Sequence, residues 1–201
     1  MPTPPEYLEI LTLPPPSTRG RTSLEEAIAT RRSVREYKRQ GIEEQQLSQL
    51  LWALQGITDD DGLRAAPSAG ALYPLELYVV SADGLFRYEP RGHRLGRLLD
   101  RDPRRDLAAA ALGQDELQDA PVTFVLTAVY ERIERKYGHA RGERYTMMEA
   151  GHAAQNLLLQ ATVLGLASVP IAAFEDDRVR AALELPPDHE PLYLIPVGYR
   201  R

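Results

Sequence analysis

The chain has 201 residues, enough for one domain that buries roughly 70% of its unfolded surface and folds without disulfide or metal staples. It has no cysteine, which excludes disulfides, thiolate catalysis and Cys-based zinc or iron–sulfur centres and is compatible with a reducing cytoplasm. The net charge of −5 and pI of about 5.5 leave no basic footprint for nucleic acid.

The first 20 residues carry Pro2, Pro4, Pro5, Pro14, Pro15 and Pro16 and exclude a helix or an inner strand. Residues 1–21 therefore read as an extended arm, disordered or lying across a partner. They lack the basic and apolar regions of a secretory signal. Ser23 with Glu26 is a capping-box pattern that opens a short helix to about Arg31. A second helix is expected over Glu43 to Gln55, with Leu47, Leu50, Leu51 and Leu54 at helical spacing and Gly56 as its stop. Residues 58–74 read as a loop.

Leu75 to Val80 reads as a strand, Asp83-Gly84 as a turn, and Leu85 to Tyr88 as the hairpin partner. Asp102 to Leu112 is helical by composition, and Val122 to Val129 suits a buried strand. Thr146 to Leu164 is the most apolar helix, closed by Gly165. Being apolar nearly all round, it is expected to be buried, with a dimer core as its natural place. A short helix over Asp177 to Leu183 and a strand over Leu192 to Val197 complete the chain. The longest apolar stretch, Leu157 to Val169, is too short and too interrupted to span a bilayer. Without regular βαβ alternation, this order indicates an α+β fold around a mostly antiparallel sheet, in one domain over residues 22–201. A soluble, cytoplasmic protein is the expectation, with no membrane or nucleic-acid partner.

Four groups of residues could carry chemistry. Arg31, Arg32, Ser33 and Arg35 put three guanidiniums and a hydroxyl within five residues, a plausible phosphate clamp. The plainer alternative is that these cations complement a helix C-terminus. Glycine-loop phosphate binding is excluded, because neither G-x-G-x-x-G nor G-x-x-x-x-G-K-[ST] occurs. Pro67-Ser68-Ala69-Gly70-Ala71-Leu72-Tyr73-Pro74 is a rigid small-residue segment that a flat ligand can approach, or an ordinary loop. Lys136 and Tyr137 could exchange protons, or be two surface residues. His152, Gln155 and Asn156 are polar groups on the apolar helix that need partners. No metal site is expected: His93, His139, His152 and His189 are scattered and no H-E-x-x-H occurs. Arginine supplies 22 of the 24 basic residues, so each lysine stands out slightly.

Taken in order, these segments resemble the nitroreductase-like flavoprotein family, and most closely its azoline (thiazoline/oxazoline) dehydrogenase-like branch. Arg31 to Arg35 is similar to the R-R-S-x-R signature, Leu50 to Gly56 to the helix that follows, and Pro67 to Pro74 to P-S-A-G-x-x-Y-P. Glu149 to Leu157 resembles E-A-G-H-x-x-Q-N-L, and Val169 to Phe174 and Leu194 to Tyr199 resemble the closing segments. The likeness runs from about residue 22 to the end.

The resemblance implies a nitroreductase-like fold with FMN at a homodimer interface and two sites, each built from both chains. It places Arg31, Arg32, Ser33 and Arg35 on the ribityl-phosphate and pyrimidine side, and Ser68, Ala69 and Gly70 from the other protomer, with Pro67, Leu72 and Gln155 also in contact. Pro170, Ile171, Ala172 and Ala173 would lie along the isoalloxazine near N5. A cation near N1 and the C2 carbonyl favours the negative charge the ring takes on when reduced. The implied cycle is ping-pong hydride transfer through N5, with NAD(P)H as co-substrate and a nitroaromatic, quinone or related acceptor. Alternatives are azoline oxidation in peptide modification, which needs partner proteins, a flavin-binding subunit without turnover, and chemistry on flavin itself. Lys136 and Tyr137 match a proton-transferring K-Y pair of azoline dehydrogenases and are the catalytic candidates. Two departures stand out. Ala172 and Ala173 replace an acidic residue and a glycine, and the chain stops at Arg200-Arg201, where longer members supply basic phosphate ligands. Arg200 is the candidate substitute. The lid is expected in residues 85–120 and 130–146.

Overall fold

A computed structural model describes residues 6–201, so the first five residues of the arm lie outside the described residues. The elements run β1 (Glu9–Thr12), α1 (Leu24–Thr30), α2 (Glu44–Gln55), β2 (Leu75–Ser81), β3 (Gly84–Glu89), β4 (Arg94–Leu99), α3 (Arg104–Ala110) and α4 (Glu116–Asp119). They continue as β5 (Val122–Ala128), α5 (Glu131–Tyr137), α6 (His139–Val163), β6 (Ala167–Ser168), α7 (Asp176–Leu183) and β7 (Glu190–Gly198). The strands form one seven-stranded sheet in the order β1-β4-β3-β2-β5-β7-β6, with every neighbouring pair antiparallel. This is the α+β architecture around an antiparallel sheet expected from the sequence.

Period-2 side-chain alternation distributes β2 between two cores. Leu75, Leu77 and Val79 pack on the side that holds α2 and α6, while Tyr78 and Val80 pack on the side of α3 and α7. Both faces are covered, which is why β2 and β5 read as almost unbroken apolar runs. Among the described residues no helix is long and apolar enough to cross a membrane.

Local signals explain most boundaries. Glu26 N–H donates to Ser23 Oγ at 3.1 Å, capping α1. Glu43 and Gln46 form a reciprocal capping box at the start of α2. Gly56 ends α2 without a left-handed turn, at φ −62°. Glycine is required there for space: a Cβ would stand 2.3 Å from Trp52 Cδ1.

Four departures from the sequence reading have physical causes. Residues 9–12 of the arm form an edge strand on β4, and Tyr7 lies against Gly96, where a Cβ would come within 2.3 Å of its ring. The strand tolerates its proline-rich surroundings because it stands at the edge. β4 and α5 are too rich in arginine and glutamate to show an apolar period. α6 begins two turns earlier than expected, because its polar first turns are held by packing on α5: a Cβ on Gly142 would meet Glu134 Cγ at 2.8 Å. Finally, α6 buries only one stripe in the single chain, formed by Thr146, Glu149, Ala150, Ala153, Ala154, Leu157, Leu158 and Ala161. Met147, Met148, Gly151 and His152 on its other side are exposed. Residues expected to form a lid include regular structure: β3, β4, α3 and α4 occupy much of 85–120, and α5 with the start of α6 occupies 131–146.

Candidate functional site

The arginine run leaves the C-terminus of α1 and is laid along the edge of the sheet. Val34 N–H donates to Ser168 O at 3.1 Å, and Ser33 and Ser168 form a parallel bridge. Tyr37 bridges Arg200, Lys38 N–H donates to Tyr199 O at 2.8 Å, and Arg201 N–H donates to Glu36 O at 3.1 Å. The Tyr37 hydroxyl, buried, donates toward Val34 O at 2.8 Å and Pro196 O at 3.1 Å. Residues 31–35, the run that follows β6, and Arg200 thus share one sheet edge although the sequence separates them widely.

The guanidiniums differ. Arg32 donates to Ala29 O at 3.0 Å and Arg31 O at 2.7 Å, satisfying its own helix end as a C-terminal cation should. Arg35 is exposed and only loosely paired with Glu116, at 3.5 Å. Arg31 is half-buried and has no side-chain hydrogen bond or ion pair among the described residues. Beyond β6, Pro170 is half-buried, and Ala172 and Ala173 are exposed. The Ile171 side chain belongs to the core, and its backbone N–H and C=O both pair with Leu194 at 2.9 Å. Gln114 Nε2 donates to Ala173 O at 2.8 Å and fixes the end of this run.

The second group lies on the loop before β2. Ala69–Ala71 form a single 3₁₀ turn in which Gly70 takes φ 64°. Tyr73 N–H donates to Ser68 Oγ at 2.9 Å, folding the segment back on itself. α5 closes over it: a Cβ on Gly70 would stand 2.7 Å from Tyr137 Oη and 2.9 Å from Lys136 Nζ. The Tyr137 ring packs edge-on against Tyr145 with centroids 5.2 Å apart. One turn earlier, Arg132 donates to Tyr73 O at 3.2 Å and pairs with Glu76, which also binds Arg87 at 2.8 Å. Burial would raise the Glu76 carboxyl, but the two guanidiniums outweigh it and hold the group below its ordinary range.

Several participants carry no separate signal in the sequence. Arg64 N–H donates to Tyr73 Oη at 3.0 Å, and its guanidinium lies 4.3 Å above the Tyr73 ring and donates to Gln55 Oε1 at 3.1 Å. Gln55 Nε2 donates in turn to Glu149 Oε1 at 3.3 Å. Glu149 is 2% exposed, and burial pushes its carboxyl up to about 7, against the opposing pull of Ser68, Gln55 and Arg64. Its place inside the E-A-G-H segment is the only mark it leaves in the sequence. The other polar residues of α6 divide: His152 and Gln155 are exposed, while Asn156 donates to Ala65 O at 3.3 Å.

The structure thus joins Ser68, Ala69 and Gly70 to Lys136 and Tyr137, and separately joins Arg31–Arg35 to Pro170–Ala173 and Arg200. Among the described residues no hydrogen bond or ion pair connects the two groups. The clefts of about 790, 670 and 500 Å³ are lined by other residues.

The nitroreductase family model matches residues 28–199. A protein of Methanocaldococcus jannaschii named for nitroreductase is 44% identical over 181 residues, covering 87% of this chain and 90% of its own. The NADH dehydrogenase of Thermus thermophilus is 29% identical over 202 residues, covering 86% of this chain and 84% of its own. A crystal structure from Ralstonia eutropha, also named for nitroreductase, superimposes with a TM-score of 0.87 at 30% identity, covering 96% of this chain and 90% of that one. With a family match over residues 28–199 and a 44% identical relative covered over nine-tenths of its length, this chain belongs to the nitroreductase family and is an oxidoreductase.

Proposed function

We propose that the protein is an FMN-dependent oxidoreductase that uses NAD(P)H to reduce a small nitroaromatic, quinone or related acceptor. The carrying observation is the shared sheet edge, where Arg31–Arg35 run onto β6 at Ser33, Arg200 pairs with Tyr37, and the exposed Ala172–Ala173 run continues beyond β6. The donor set fits the cofactor: Arg31 is unpaired among the described residues, and small side chains at 172 and 173 leave a planar ring room to approach the backbone. A guanidinium grips phosphate in a fork and stays charged at any working pH. FMN held there would supply the hydride-transfer chemistry at N5, between two substrates in ping-pong order.

The chain's own residues do the rest. Arg31, Arg32, Ser33, Arg35 and Arg200 hold the phosphate and pyrimidine side, and Pro170, Ile171, Ala172 and Ala173 line the N5 side. Pro67, Ser68, Ala69, Gly70, Leu72 and Gln155 complete the site from a second copy, in a homodimer with two such sites. Two observations support this dimer: among the described residues no hydrogen bond or ion pair links the half-sites, and large apolar side chains stand exposed on α1 and α6. Leu24 is 62%, Ile28 56% and Met148 55% exposed. Lys136 and Tyr137, packed on the Gly70 segment, would hand a proton to the acceptor.

The same contact favours a second reading, azoline oxidation during peptide modification, in which the Lys136–Tyr137 pair moves protons at the substrate ring. The visible spectrum of the purified protein, before and after anaerobic NAD(P)H, separates the readings. A flavin band that bleaches supports the reductase. A flavin band that stays supports the second reading or a flavin-binding subunit. No flavin after reconstitution with FMN overturns both enzyme readings.

A further inference from the structure

Four hydrogen bonds string five residues together at the Pro67–Pro74 segment, from Ser68 to Glu149. Arg64 donates to Gln55 at 3.1 Å, and Gln55 donates to Glu149 at 3.3 Å. Arg64 N–H also donates to the Tyr73 hydroxyl at 3.0 Å, and Tyr73 N–H donates to Ser68 Oγ at 2.9 Å. No hydrogen bond joins Ser68 to Glu149 among the described residues, but the Ser68 hydroxyl favours the charged Glu149 carboxyl against the effect of burial. Yet Glu149 Oε2 is buried and has no hydrogen-bond partner among the described residues. A buried carboxyl oxygen without a donor is costly, so the arrangement favours drawing in the Ser68 proton whenever the carboxyl is charged.

We propose that Glu149 is a positioning residue for the flavin, acting through Ser68: its carboxyl decides whether the Ser68 hydroxyl proton points inward or is free to reach the ring edge. The inference rests on the flavin reading above. Ser68 Oγ already accepts from Tyr73 N–H, so the hydroxyl has one proton to give. A charged Glu149 takes that proton. A neutral Glu149 releases it, and the edges of an oxidised isoalloxazine carry mostly acceptors (N1, N5 and two carbonyl oxygens against one N–H). Arg64, from the loop after α2, is the charged group that acts on Glu149, whereas Gln55 from α2 and Ser68 from the loop do not titrate. Burial places the change of state near neutrality, so flavin binding weakens as pH rises through about 7.

The test is the FMN dissociation constant of wild type, Glu149→Gln and Ser68→Ala, followed by flavin fluorescence between about pH 5.5 and 8.5. Ionisation of the FMN phosphate affects all three proteins alike and drops out of their ratios. At low pH wild type is expected to bind about tenfold tighter than Ser68→Ala, one hydrogen bond's worth, with the gap closing at high pH. Glu149→Gln, permanently neutral, keeps the gap across the range. A wild-type to Ser68→Ala ratio that does not change with pH overturns the proposal, and so does a step that survives in Glu149→Gln. If Glu149→Gln does not fold, the first ratio alone decides. Absence of FMN binding by wild type at every pH is a different failure, that of the flavin reading, and takes this inference with it.

Discussion

Gly70 and Tyr137 meet so closely that the glycine hydrogen is what lets α5 close over the loop. A Cβ there would stand 2.7 Å from the Tyr137 hydroxyl, and the backbone is held at φ 64°. Gly70→Ala therefore meets two penalties, a left-handed backbone costing about 1 kcal/mol and displacement of Lys136 and Tyr137. Its melting temperature is expected to fall, and its turnover to fall further than stability explains. Wild-type turnover in the alanine variant would mean that the packed pair has no part in the chemistry.

The arginine edge makes a sharper distinction. Replacing Arg31 and Arg35 with Ala should weaken FMN binding, each charge-assisted bond contributing about 1.5–3 kcal/mol. Riboflavin, which lacks the phosphate, should lose less affinity than FMN, only what the arginines contribute at the pyrimidine side. Calorimetry with the two ligands checks this, and equal losses for both would move the arginines away from the phosphate.

Stability against pH is set in part by Glu149. Its folded pKa, about 7, lies above the ordinary value of 4.5, so the folded state holds the extra proton between the two. Stability attributable to this group is greatest below about 4.5, falls as pH rises to about 7, and is flat beyond. The full difference is about 3 kcal/mol at most. The half-buried His93 and the buried His189 are lowered by burial and act in the opposite sense, losing stability as pH falls through 6.5 and below. The measurement is therefore the difference in unfolding free energy between Glu149→Gln and wild type at pH 5 and pH 8. Glu149→Gln should gain relative to wild type at the higher pH. No change in that difference would place the ionised carboxylate in a better-solvated position than burial indicates.

Assembly is testable apart from chemistry. Ile28 and Met147 are 56% and 47% exposed on helices α1 and α6, which pack together. Ile28→Glu with Met147→Glu should yield a monomer by sedimentation equilibrium, with bound flavin lost in parallel. A monomer that keeps its flavin would overturn the shared site.

The sequence was most legible where one local rule decided the outcome. Ser23 capped α1 as its hydroxyl dictates, and β2 and β5 followed from apolar runs covered on both faces. β4 escaped notice because Arg94 and Arg97 interrupt its pattern and its order comes from the neighbours β1 and β3. The start of α6 escaped because its polar turns depend on Gly142 nesting against α5. The motif residues were visible as types, but their grouping was not. That Arg200 returns beside Tyr37, or that Gln55, Arg64 and Glu149 link up beneath Ser68, depends on strand order and side-chain direction, which no spacing encodes.

The arginine run that borders β6 also has a consequence for solubility. β6 is a two-residue outer strand, and the chain that would otherwise leave its edge open is residues 33–37, bridged to it at a single position. An open edge is a template on which another molecule's strand can add, and flanking charge is a common deterrent. Arg32 and Arg35, the exposed cations of that segment, therefore guard the sheet edge. Neutralising them should raise light scattering on storage even in protein saturated with flavin.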